Sequence, residues 1–297
     1  MRLQASVAAC KGEWANPEHR QLDYSLRFVW GLSGAAAVGP DADVAVVVDL
    51  LSFTTTLSVA LDVGTEVLPY RWRDGSAERY AFDHGAVLAV GRSAASPGAI
   101  SLSPGTIRAA QAVERLVLPS PNGSSIAYEL GASAGACVGA SLRNARAVAE
   151  WIADNYADGA VIAVIAAGEK WPDGMLRPAV EDLWGSGAVI DALMTAGGRT
   201  DASPEAEAAA AAWQTVAGRA SSALHGCGSG RELIAAGYAE DVAVAAEVDQ
   251  SRSVPLLRDY RFVDSRRRRH FQDCSAESSR PPSSNAPVPC SVPYRAM

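Results

Sequence analysis

An α/β protein is the fold class that the 297-residue sequence predicts, with helices on both faces of a mainly parallel or mixed sheet, a three-layer α/β/α sandwich. Three observations predict it. Short runs rich in Val, Ile, Leu and Ala recur between residues 43 and 264. Ala-rich stretches of helical length alternate with those runs. Several runs end in polar loops carrying Gly, Ser, Thr or Asn, the residues that turn a chain or open a helix.

The first regular segment, "RFVWGLSGAAAVG" (27–39), predicts one strand and a turn, within an N-terminal extension, 1–42, that is partly ordered. The run 44–48 predicts a buried strand, because it is apolar at every position. Its apolar spacing then widens, which predicts a helix over 54–63. Strands follow at 66–70, 86–90 and 115–118. The turn dipeptide Asn122-Gly123 leads into a helix at 124–130. A strand at 136–139 precedes a long helix at 142–156. The most apolar strand, 160–166, leads through a Gly-containing loop to a helix at 179–195, where Gly185 and Gly187 permit close packing. Helices at 204–219 and 231–236 come next, with "HGCGSG" (225–230) as a loop before the second. A strand at 241–245 completes the domain, 43–264. After it the composition becomes Arg-, Ser- and Pro-rich, which predicts a disordered tail over 265–297.

Composition excludes several classes. The chain is 48% hydrophobic and 20% charged, as expected of a folded protein with a large core. Net charge is −7, and the tail's six arginines against two acids leave about −11 on the rest, which argues against a nucleic-acid-binding surface. Five widely spaced cysteines without a CxxC pair predict reduced thiols, no structural zinc and a cytoplasmic setting. The longest apolar stretch (159–168) is too short to span a bilayer, and no signal peptide is evident. No GxSxG elbow, P-loop or GxGxxG stands at a strand end, no HExxH is present, and "VDLLSFTTT" lacks the second Asp of a DxD phosphatase motif.

Chemistry concentrates where strands hand over to helices, the usual place for sites in open α/β sheets. In "DLLSFTTT" (49–56), Asp49 ends a strand and either caps the next helix or holds Mg²⁺. Ser52 or Thr54 could cap that helix, and its first amides could hold an anion. "LVLPSPNGSS" (116–125) repeats the pattern with Asn122, Gly123 and Ser124. "GASLRN" (139–144) offers Arg143 as a partner for phosphate or sulfonate oxygens, or as an exposed helix-start arginine. In 166–189 the loop carries Glu169, Lys170 and Asp173. Glu181 and Asp182 then open a helix, suited to its dipole or to a divalent metal.

Taken in order, these segments resemble the 2-phosphosulfolactate phosphatases (ComB-like proteins). "DLLSFTTT" is similar to that family's DVLRATTT-like motif, "PNGSS" to its NGT turn, and "GASLRN" to its GSLRN-like element. Gly168, Glu181 and Asp182 match its AG…ED segment, and Gly237, Asp241 and Pro255 its closing G…D…VP pattern. "VGRSAAS" (90–96) resembles a GERGG-like segment, keeping Arg92. The resemblance implies the three-layer sandwich fold, a homodimer as the assembly to expect, and Mg²⁺-dependent hydrolysis of 2-phosphosulfolactate to 3-sulfolactate, a step of coenzyme M biosynthesis. It places Asp49, Glu181 and Asp182 in catalysis and around Mg²⁺. It places Thr54, Thr55, Thr56, Arg92, Asn122, Gly123, Ser124, Arg143 and Asn144 around a small anionic phosphorylated substrate. The family's first-motif arginine is Ser52 here. Either Arg143, Arg92 or Arg71 substitutes for it, or the substrate differs, or the chain is a non-catalytic anion- or metabolite-binding relative.

Overall fold

The computed structural model describes residues 16–71, 75–96, 98–110, 112–196 and 198–266. Cys10, Cys274, Cys290, His270 and the tail beyond Arg266 lie outside the described residues. In chain order the strands and helices are β1 (Leu26–Trp30), α1 (Gly31–Val38), β2 (Val44–Val48), α2 (Phe53–Asp62), β3 (Glu66–Tyr70), α3 (Ser76–Asp83), β4 (Val87–Leu88), α4 (Pro104–Ala109), β5 (Arg115–Pro119), α5 (Gly123–Ser133), β6 (Cys137–Ala140), α6 (Ala145–Asn155) and β7 (Ile162–Ala166). They continue with β8 (Glu169–Lys170), β9 (Leu176–Arg177), α7 (Val180–Ala196), α8 (Pro204–Gln214), α9 (Ala220–Gly226), α10 (Gly228–Ala235), α11 (Ala239–Ala245), β10 (Pro255–Arg258) and β11 (Arg261–Asp264).

Among the described residues, nine strands form one mixed sheet in the order β1-β7-β2-β6-β10-β11-β3-β5-β4. It consists of two parallel blocks, β1-β7-β2-β6 and β3-β5-β4, joined by the antiparallel hairpin β10–β11. Strand β2 lies inside its block with helices on both faces, which is why its sequence shows no polar alternation. One face buries Val44, Val46, Val48 and Val164 under α6, α7, α8 and the later helices. The other buries Ala45, Val47 and Ile165 under α1, α2 and α5, while α3 covers Leu68 and Val117. The layers are therefore helix, sheet and helix, as the sequence predicts. Helix α7 comes so near α8 that a Cβ on Gly187 would stand 2.0 Å from the Ala209 carbonyl oxygen.

Helix α2 is buried from Phe53 to Leu61 and touches β6 on one side and β3 on the other. A buried helix must satisfy every hydroxyl it carries. Thr54 Oγ1 donates to the Asp49 carbonyl at 2.9 Å, Thr55 Oγ1 to Leu50 at 2.8 Å, Thr56 Oγ1 to Leu102 at 3.1 Å, and Ser58 Oγ to Thr55 at 2.8 Å. The hydroxyl-rich sequence is thus first a way to anchor a buried helix to its neighbours.

Several expectations are corrected. Residues 241–245 are not a strand but part of α11: Val242, Val244 and Ala245 are buried, and Glu240 and Asp241 in its first turn suit a helix start. The turn expected before residue 39 is helix α1, and β1 joins the sheet beside β7, so the segment set apart as an extension supplies an edge of the same sheet. The segment 225–230 is not a loop: α9 ends and α10 begins on either side of Cys227, whose Sγ accepts from the Gly230 amide. Helix α8 stops at Gln214, short of 219, and a separate 3₁₀ turn spans Ala217–Arg219.

Candidate active site

Asp49 stands where β2 ends, and its carboxylate ties together the starts of two helices. Oδ1 accepts from the Phe53 amide of α2 at 3.3 Å, and Oδ2 accepts from the Gly123 amide of α5 at 2.9 Å and from Ser120 Oγ at 3.4 Å. Amides at these helix starts therefore already hold an anion, supplied by the protein itself. Ser52 occupies the N-cap position of α2 without a side-chain cap. Gly123 is required for this approach: a Cβ there would lie 2.4 Å from Phe53 Cδ1 and 2.7 Å from Asp49 Oδ2. Burial raises the Asp49 carboxyl above its ordinary value; its hydrogen-bond donors oppose that, and Glu181 adds to it.

Asp182, in the first turn of α7, clamps the ends of two adjacent strands. Oδ1 accepts from Leu50 N at 2.7 Å and Oδ2 from Gly168 N at 2.8 Å. Burial, then Asp49 and Glu181, push its carboxyl well up. Glu181 is buried beside it. Glu169 opens β8, shortly after β7, and its place in the sequence does not single it out. Its carboxylate accepts from Asn122 Nδ2 at 3.0 Å, and burial and then Asp49 push it up to about 7, while Arg177 opposes the shift. Asn122, Asp49 and Glu169 all line one cleft of about 200 Å³, with Ser52, Thr56 and Arg92.

Arg92 reaches this cleft from the loop after β4. Its Nε donates to Asp241 Oδ2 at 2.6 Å, and its terminal nitrogen donates to the Ser52 hydroxyl. Ser103 donates to the other oxygen of Asp241. An arginine thus stands against the first-motif position where the sequence itself has serine. Asp241, which holds that arginine, and Ser103, which holds Asp241, are not singled out as site residues by the sequence; its one signal is the "GYAEDVAV" match at Asp241.

The remaining candidates point elsewhere. The hydroxyls of Thr54 and Thr55 serve the backbone, and Ser124 Oγ donates to the Leu118 carbonyl at 3.2 Å. Asn144 wires its own loop, accepting from Ser141 N at 2.8 Å and donating to the Ser253 carbonyl at 3.1 Å. Arg143 is not an exposed helix-start residue. It is buried and spends its guanidinium on Glu247 (3.0 Å), Asp62 (3.1 Å) and Ser58 (2.8 Å), none of which lines the cleft. Cys227 is no nucleophile in waiting: burial and then Glu181 push its thiol up to about 11.

Among the described residues, no three His, Cys, Asp or Glu side chains form a ready cage for a metal. A hard cation of the Mg²⁺ kind needs less, taking one or two carboxylates and completing its shell with water and phosphate oxygens. Beyond the effect of burial, Glu181 raises the proton affinity of Asp49, and Asp49 and Glu181 together raise that of Glu169 and Asp182, the condition that a bound divalent cation would relieve. The donor set fits such an ion in that limited sense. Among the described residues no helix is long and apolar enough to cross a membrane.

A family model described as 2-phosphosulpholactate phosphatase matches residues 37–260. The match covers more than half of the chain and includes every loop of the cleft. A comparison with curated proteins finds no match.

Proposed function

The chain belongs to the 2-phosphosulpholactate phosphatase family, and from that premise we propose that the cleft hydrolyses the phosphate monoester of a small acid, with 2-phosphosulfolactate as the substrate and 3-sulfolactate and phosphate as the products. The observation that carries this reading is the convergence of Asp49, Glu169, Asn122 and Arg92 on one cleft from four separate loops. Arg92, fixed by Asp241, offers its remaining N–H groups to phosphoryl oxygens and offsets their charge. Asn122, held on Glu169, orients the group. Glu169, half-buried with a carboxyl near 7, is suited to take a proton from an attacking water or to return one to the leaving oxygen. Mg²⁺, held by Asp49 with Glu181 or Asp182, would supply positive charge at the phosphoryl oxygens. Asp182 keeps the β2 and β7 ends together, so that these groups face one another.

The contact of Arg92 with Ser52 supports an enzyme over a purely anion-binding relative, since the cleft keeps an arginine at that position. The test is phosphate release from 2-phosphosulfolactate, 2-phospholactate and phenyl phosphate, with and without Mg²⁺. Mg²⁺-dependent release, greatest with the sulfonated ester, is expected. A folded protein that releases phosphate from none of them removes the proposal.

A further inference from the structure

A second and larger cavity, of about 410 Å³, adjoins the reaction cleft, and Glu169 lines both. Its wall includes Lys170, Trp171 and Arg177 of the β8–β9 hairpin, with Gly228 and Glu232 of α10 opposite. Resting on the phosphatase reading, we infer that this cavity receives the second acidic group of the phosphoester, its carboxylate or sulfonate, and that Arg177 determines specificity for substrates that carry one.

Charge is the first argument. Among the described residues the reaction cleft is lined by one cation, Arg92, and Asp241 already offsets it. A phosphoester with further acid groups brings more negative charge than that cleft can balance. Across Glu169 stand Lys170 and Arg177, and among the described residues neither forms an ion pair. On an acidic protein, two cations without such a pair at the mouth of an acidic cleft mark a place for an outside anion.

Geometry is the second. Arg177 is held in place without being used up. The hairpin register sets it opposite Glu169 on the same face. One terminal nitrogen donates to Ser229 Oγ at 3.3 Å, and its guanidinium carbon lies 5.7 Å from the Trp171 ring centre. A guanidinium has five N–H donors, so a fork remains for a carboxylate or sulfonate. Glu232, exposed on the far wall, favours a ligand that approaches from the Arg177 side. Glu169 borders both spaces, which sets Arg92 of the one and Arg177 of the other on either side of a single side chain.

The experiment compares wild type with Arg177→Gln and Lys170→Gln, with matched thermal unfolding as the folding control. The readout is the ratio of kcat/KM for 2-phosphosulfolactate to that for phenyl phosphate, which lacks a second acid. Loss of a charged hydrogen bond should lower this ratio by about 10- to 100-fold in Arg177→Gln, and by less in Lys170→Gln. A ratio unchanged in Arg177→Gln overturns the inference. If wild type hydrolyses neither ester, the phosphatase reading fails on its own, and calorimetric titration with 3-sulfolactate decides the inference separately. Binding weakened about tenfold or more by Arg177→Gln supports the cavity. Equal binding by both proteins, or none by wild type, overturns it.

Discussion

Two strand-to-helix loops of the same parallel block invite comparison. The loop after β2 carries Asp49, and the loop after β6 carries Arg143. Both strands are parallel neighbours, both loops are polar, and each puts one charged side chain at a strand end. Their surroundings differ. Arg143 meets two carboxylates and a hydroxyl, all protein, and has little left to offer a ligand. Asp49 meets backbone amides and other carboxylates, so the negative charge around it is left for something else to balance. A charged residue at a strand end marks a site only where the protein has not already neutralised it.

The sharpest way to break this comparison is to remove each charge in turn. Asp49→Asn should lower kcat by about 10²- to 10⁴-fold in the phosphate-release assay while leaving a folded protein; unchanged turnover would contradict it. Arg143→Met should do the reverse, costing about 3 kcal/mol in urea unfolding because Glu247 and Asp62 lose their shared partner, with kcat/KM changed less than about threefold. Should Arg143→Met abolish activity without loss of stability, the two loops would have to be regarded as one site. Gly123→Ala lies between these cases. Its methyl group would press on Asp49 Oδ2 and Phe53, with an expected cost of about 1–3 kcal/mol and a matching fall in turnover. Asp241→Asn frees Arg92 and should raise KM about tenfold with kcat nearly kept. The smallest effect is on pH dependence. Folding raises the Glu169 carboxyl from 4.5 to about 7, so the folded chain keeps this proton to higher pH than the unfolded one. The associated stability is present below about pH 4.5 and is lost as pH rises through about 7. Without divalent cations, the Tm should therefore fall between about pH 5 and pH 8, and Glu169→Gln should flatten that slope.

Much of the fold is legible because burial on both faces writes itself into composition: the runs that form β2 and β7 contain no polar residue. The hairpin β10–β11 is not, since its strands are four residues long and its turn gives no familiar signal. Asp259 and Tyr260 take positive φ there, without the Asn-Gly pair that usually announces such a turn. Helix α11 reads as a strand because "DVAVA" alternates like one, although its burial follows a helix. At the cleft, the place of Asp49 can be read from one carboxylate closing an apolar run. The role of Arg92 cannot, because it depends on Ser52, 40 residues away, and Asp241, 149 residues away. The raised proton affinity of Glu169 likewise comes from neighbours that only the folded chain brings together.

The β10–β11 hairpin also sets a schedule for synthesis. β10 pairs with β6 at Leu256 and Val138, and β11 with β3 at Phe262 and Val67. Phe262 is fully buried, with its ring 6.1 Å from that of Phe53 at the start of α2. Until a ribosome has passed Pro255, the two parallel blocks lack the segment that joins them. The cleft, which draws on both, is completed only after almost the whole domain has emerged. Such late, long-range closure slows folding, and a nascent chain stalled before this hairpin would expose the seam between two unfinished half-sheets.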